Sequence, residues 1–161
     1  MSLTQESETV TRAMIRAGQA LSGMLNRPVR CVATSVTYQS LTELDAQFGS
    51  LPEVVEAALP VGGEMGGQLF MVFDLAEAVR LVAELIGEEP SSAPFDELGL
   101  SAIGELTNVT GVAFLSAIAD AQGSAVSPGA PAIWQESPAQ LAVRLRARGR
   151  DQVLVCTTRF E

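Results

Sequence analysis

Apolar residues open the chain at helical spacing. Val10, Met14, Ala17, Leu21 and Leu25 recur every three or four positions and predict a helix over about 3–26. Ser2-x-x-Gln5 has the form of a capping box, Glu6 and Glu8 lie where the helix dipole favours negative charge, and Asn26-Arg27-Pro28 ends the run. The β-branched content of residues 29–36 predicts a strand, and residues 52–61 contain a second extended run. Gly62-Gly63 and Gly66-Gly67 bracket a tight connection. It reads as a hairpin turn and not a phosphate cradle, because a short apolar strand, 68–73, follows it instead of a helix. Asp74-x-x-Glu77 then opens a helix that runs to about Ile86 and stops at Gly87.

The segment Glu88-Glu-Pro-Ser-Ser-Ala-Pro94 is the clearest break. A long helix over about 96–121 follows, with Asp96 and Glu97 as first-turn charges and Gly123 beyond its end. Residues 125–134, 140–148 and 152–159 all predict strands. In the middle one Leu141, Val143, Leu145 and Ala147 alternate with Arg144, Arg146 and Arg148, as in a half-buried strand whose solvated arginine face guards an edge. The order is helix, three strands, helix, then helix and three strands, the pattern of a duplication with half-repeats at about 3–87 and 94–161 inside one domain, 1–161. A shift of 94 pairs Leu21 with Leu115, Ser22 with Ser116 and Ile15 with Val109. The expected fold is α+β: two pseudo-two-fold halves sharing a mostly antiparallel sheet, with both long helices on one of its faces.

Within the second long helix, Ser101, Glu105 and Asn108 stand at spacings of four and three and share one narrow stripe. Asparagine costs about 0.5 kcal/mol against alanine inside a helix, so Asn108 in this apolar stretch needs a reason. In the first helix the same shift sets Thr11 opposite Glu105 and Met14 opposite Asn108, so both polar groups are missing there.

Ser101, Glu105 and Asn108, followed after 22 further residues by Pro131, form the pattern S-x3-E-x2-N-x22-P. It resembles the signature of the CheC/CheX/FliY phosphatases, which dephosphorylate the chemotaxis response regulator CheY. Glu105-Leu-Thr-Asn108-Val-Thr-Gly-Val-Ala-Phe-Leu-Ser-Ala-Ile118 resembles a CheC site helix, and Gly67-Gln-Leu-Phe-Met-Val-Phe-Asp-Leu-Ala-Glu-Ala78 the family's strand-then-helix segment. The resemblance implies that Asn108 orients the attacking water, that Glu105 pairs with the regulator's active-site lysine, and that Ser101 and Pro131 complete the motif. It implies one active site, since Thr11 and Met14 depart from the family's pattern. It implies no cofactor of the chain's own, with Mg2+ carried by the partner regulator. The implied partner is a phosphorylated CheY-like response regulator; CheD is a further partner the family allows, and monomer and homodimer are both open. A carboxamide suits water-mediated dephosphorylation. Its oxygen accepts from water, its NH2 donates to a phosphoryl oxygen, and it carries no charge to repel the phosphoryl group.

Composition narrows the alternatives. The chain has 161 residues, 47% of them hydrophobic, enough for one domain with a sizeable core. It has no histidine, which excludes Ser-His-Asp and Cys-His catalysis and histidine-bound metals. All ten cations are arginine, so there is no Schiff-base or P-loop lysine. The net charge of -9 argues against nucleic acid and against an anionic membrane surface. No uninterrupted apolar run reaches the roughly 18 residues of a membrane span, and the polar start lacks the features of a secretory signal; the cytoplasm is the expected location. Cys31 and Cys156 read as buried small hydrophobes, with a disulfide between them left open. The alternative to a phosphatase is a non-catalytic CheC-like module that binds a response regulator, CheD or a flagellar switch component. A stand-alone small-molecule hydrolase is disfavoured, because the stripe holds one carboxylate and no metal ligands surround it.

Overall fold

A computed structural model describes residues 3–90, 95–149 and 151–161. The chain runs α1 (Leu3–Leu25), β1 (Cys31–Ser40), α2 (Leu41–Phe48), β2 (Val54–Gly63), β3 (Gly67–Asp74), α3 (Leu75–Ile86), α4 (Glu97–Gln122), β4 (Val126–Pro128), β5 (Ala132–Glu136), α5 (Pro138–Arg146) and β6 (Gln152–Phe160). The fold is α+β and every strand pair is antiparallel. The predicted cap at Ser2 lies outside the described residues.

Each sheet is built from both halves. β1 pairs with β6, while β2 pairs with β3 on one side and with β4 and β5 on the other. The first strand of each half thus joins the second strand of the other: β1 with β6, β5 with β2. Residues of β2 alternate between two interiors. Val55 and Ala57 face α3 and α4 through Ala78, Val82 and Ile103. Val54 faces α2 and α5 through Leu44, Leu141 and Leu145. The β1–β6 ribbon is packed likewise, with Val36, Cys156 and Phe160 against Val10, Ala13 and Met14 of α1, and Val153 and Val155 turned toward α2 and α5. The result is three layers: α1, α3 and α4, then strands, then α2 and α5.

Three expectations are corrected. Residues 140–148 are not a strand: residues 138–146 form helix α5. Ser137 and Gln140 make a reciprocal capping box and Pro138 occupies the first turn. Leu141, Ala142 and Leu145 are buried while Val143 is 66% exposed, so the alternation imitated a strand while the i, i+4 pair set the true period. Residues 41–48, for which no element was predicted, form α2, opened by the equivalent box between Ser40 and Glu43. The strand expected over 125–134 is two pieces. Between the pairs Ala58–Ala132 and Val61–Pro128, three residues (129–131) face two of β2, a one-residue bulge. The halves therefore carry α–β–α–β, with two short helices on the far side of the strands.

Arg144 is not on a solvated face. Its Nε lies 3.1 Å from Glu56 Oε2 and its Nη2 2.7 Å from Glu136 Oε2. Arg148 approaches Glu56 at 3.7 Å, and the two guanidiniums cover Trp134 and Phe70 at 4.0 and 4.6 Å. Neither Glu56 oxygen sits in line with an N–H, although Glu56 is fully buried in the central strand. Arg146 pairs with Asp45, tying α5 to α2. Both cysteines are free, and burial raises both thiols, Cys156 to about 11, so neither is a ready nucleophile.

Candidate functional site

Helix α4 is 26 residues long. Asp96 caps it by accepting from the Gly99 N–H at 2.8 Å, and Gly123 ends it in the left-handed conformation at φ 64°. Among the described residues it is the one helix apolar enough to cross a membrane by length and composition, with mean hydropathy 1.4. That composition reflects its place in the core, where it packs on α1, α3 and the strands. Gly111 lets it settle on the sheet, since a Cβ there would come within 2.8 Å of Leu59; at Gly104 a Cβ would be in ordinary contact with Ile133 at 3.9 Å.

Ile103, Leu106, Thr107 and Thr110 point inward, which leaves one strip of the N-terminal half in solvent. From residue 97 to 108 that strip is Glu97, Leu98, Ser101, Glu105 and Asn108. The helix thus brings Ser101, Glu105 and Asn108 to one exposed face. Among the described residues, none hydrogen-bonds or ion-pairs with the side chains of these three. Pro131 is half-buried at the bulge, immediately before β5. Ile133, two residues on, lies under Gly104 of α4. The structure thus brings Ser101, Glu105 and Asn108 together on one strip, and sets Pro131 at the entry to the strand that runs beneath α4.

The equivalent stretch of α1 is closed. Met14 is buried against Phe114 and Ile118 of α4, and Thr11 returns its hydroxyl to the Ser7 carbonyl at 2.8 Å. Two hollows lie elsewhere, one lined by Glu136, Val143 and Arg144, the other by Glu6, Tyr38 and Leu154. The pair of Glu105 and Asn108 is exposed on the helix, and neither hollow includes it. What it can do chemically is enter another molecule's pocket, presenting a carboxylate and, one turn on, an amide. The motif spacing does not include Leu98, which is 54% exposed on the same strip. Counting back seven and ten positions from Glu105 and Asn108 is the signal that finds it.

Fold and face together define a class, an α+β domain of two interlocked halves that offers its polar groups from a long helix. No sequence-family model matches the chain, and no curated protein sequence matches it. Solved structures do. FliY from Thermotoga maritima superposes with a TM-score of 0.79 at 16% identity, over 100% of this chain and 84% of that one. The FliM middle domain of Vibrio alginolyticus gives 0.67 at 13%, over 96% and 84%. CheX from Desulfovibrio desulfuricans gives 0.58 at 14%, over 92% and 82%. The chain has the CheC/CheX/FliY fold.

Proposed function

We propose that this chain is a phosphatase of a phosphorylated CheY-like response regulator, with one active site on α4. Asn108 holds the attacking water in line with phosphorus through its amide oxygen and steadies a phosphoryl oxygen through its NH2. Glu105 pairs with a lysine of the regulator and fixes the register of docking. Ser101 lies on the approach, and Pro131 shapes the entry to β5. The metal needed to order the phosphoryl charge belongs to the regulator, and the encounter takes place in the cytoplasm. The observation that carries this reading is the exposed pair Glu105 and Asn108, without side-chain partners among the described residues, on a long helix whose inward face packs in the core. An asparagine there costs helix stability and returns none through internal bonds.

The experiment follows the lifetime of an acetyl-phosphate-labelled regulator with and without the protein. Asn108→Ala is expected to slow the accelerated decay by about 100-fold or more, as loss of one well-placed polar group does in other hydrolytic sites. Undiminished acceleration by that variant would remove Asn108 from the mechanism. A second reading, a binding module without catalysis, draws on the closed equivalent in α1, where Met14 and Thr11 show the site lost from one half. Regulator binding that leaves the phosphoryl lifetime unchanged would favour it.

A further inference from the structure

The exposed strip of α4 holds one large apolar side chain. Leu98 precedes Ser101, Glu105 and Asn108 by three, seven and ten residues, which at about 100° per residue keeps all four within an arc of roughly 80°. The rest of the apolar complement of this part of the helix is buried or half-buried. A single exposed leucine is ordinary on a protein surface. This one is in line with the polar pair, on the same rod, about 15 Å toward the helix start from Asn108.

The charges that this half of α4 and its cap carry have one sign. Asp96, Glu97 and Glu105 are acidic, and α4 carries no arginine over its whole length. Such a face suits a partner surface that is cationic around its reacting centre and apolar farther out. Resting on the phosphatase reading above, we propose that Leu98 is the apolar docking anchor of this face, seated on the receiver domain of the phosphorylated regulator outside its phosphoryl pocket. The length of α4 between Leu98 and Asn108 then sets which regulators can engage both points at once. Leu98 touches no reacting atom. It acts on association and leaves the chemical step alone.

The separation of binding from chemistry supplies the test. A panel of CheY-type receiver domains, labelled with acetyl phosphate for turnover or loaded with beryllofluoride for binding, is assayed against the wild type, Leu98→Ala and Leu98→Met. Leu98→Ala is expected to raise KM and the Kd for the beryllofluoride form by about fivefold, the loss typical of one interface anchor, with kcat within about twofold. Leu98→Met is expected to restore both. An alanine variant with KM and Kd indistinguishable from wild type overturns the anchor and leaves the phosphatase reading standing. A wild type that binds the receiver without shortening its phosphoryl lifetime overturns the phosphatase reading, and Kd alone then judges Leu98. If no receiver in the panel is bound or dephosphorylated, both fall.

Discussion

At the scale of single residues, Glu56 is a fully buried carboxyl whose ionisation is costly. Burial in the central strand, with the Glu136 carboxylate beside it, outweighs the attraction of Arg144 and Arg148 and raises its carboxyl from the usual 4.5 to about 7. Below about pH 4.5 this carboxyl is neutral in both folded and unfolded chains. Between the two values the folded chain keeps a proton that the unfolded chain has shed, so this contribution to stability falls as pH rises and is lost through about 7. Its full size is on the order of 3 kcal/mol. Glu56→Gln is expected to flatten that slope, melting closer to wild type at pH 5 and higher than wild type at pH 8.5. Thermal unfolding followed by circular dichroism at the two pH values measures it; an unchanged slope would remove Glu56 as its source. Glycine gives a second residue-scale test. A Cβ at Gly18 would stand 2.9 Å from Cys31 Cβ and 3.3 Å from its backbone nitrogen, neither of them a flexible side-chain tip. Gly18→Ala is expected to cost about 1–3 kcal/mol in urea unfolding by forcing α1 off β1.

Among the elements, α5 depends most on its ions. Arg144 reaches both buried carboxylates, so Arg144→Ala strips Glu136 of its partner, leaves Glu56 with Arg148 alone at 3.7 Å, and is expected to cost about 3–5 kcal/mol. Equilibrium denaturation reads that loss. A neutral result would mean that Arg148 or water takes over. The same helix shows where legibility ended. Long elements with strong ends were plain: α1, α3 and α4 announce themselves through Asn26-Arg27-Pro28, Asp74, Gly87 and Gly123. Helices α2 and α5 are eight and nine residues long, too short for apolar spacing to separate a period of two from one of 3.6. Their ends held the missing signal. Gln39-Ser-x-x-Glu43-Leu44 and Glu136-Ser-x-x-Gln140-Leu141 are one repeated phrase, a strand end turning into a capped helix. Reading that pair would also have told Arg144 and Arg148 apart from a solvated row. The shared strip of Ser101, Glu105 and Asn108 was legible, because one straight helix sets them on one face by spacing alone. The place of Pro131, at a bulge against β2, depends on strand pairing that no local pattern encodes.

For the whole molecule, the interlocked pairing governs folding. β1 finds its partner in β6 and β5 finds its partner in β2, so neither half owns a complete sheet. Fragments 1–90 and 95–161, made separately, are expected to lack cooperative unfolding, and on mixing to recover strand signal in far-ultraviolet circular dichroism. A half that melts cooperatively by itself would contradict this. The exposed placement of Glu105 and Asn108 also bears on inhibition. A drug-sized compound binds where walls surround it, and neither hollow described above touches this pair. Something with the breadth of a folded macromolecule, laid across several turns of α4, is the expected blockade of that strip.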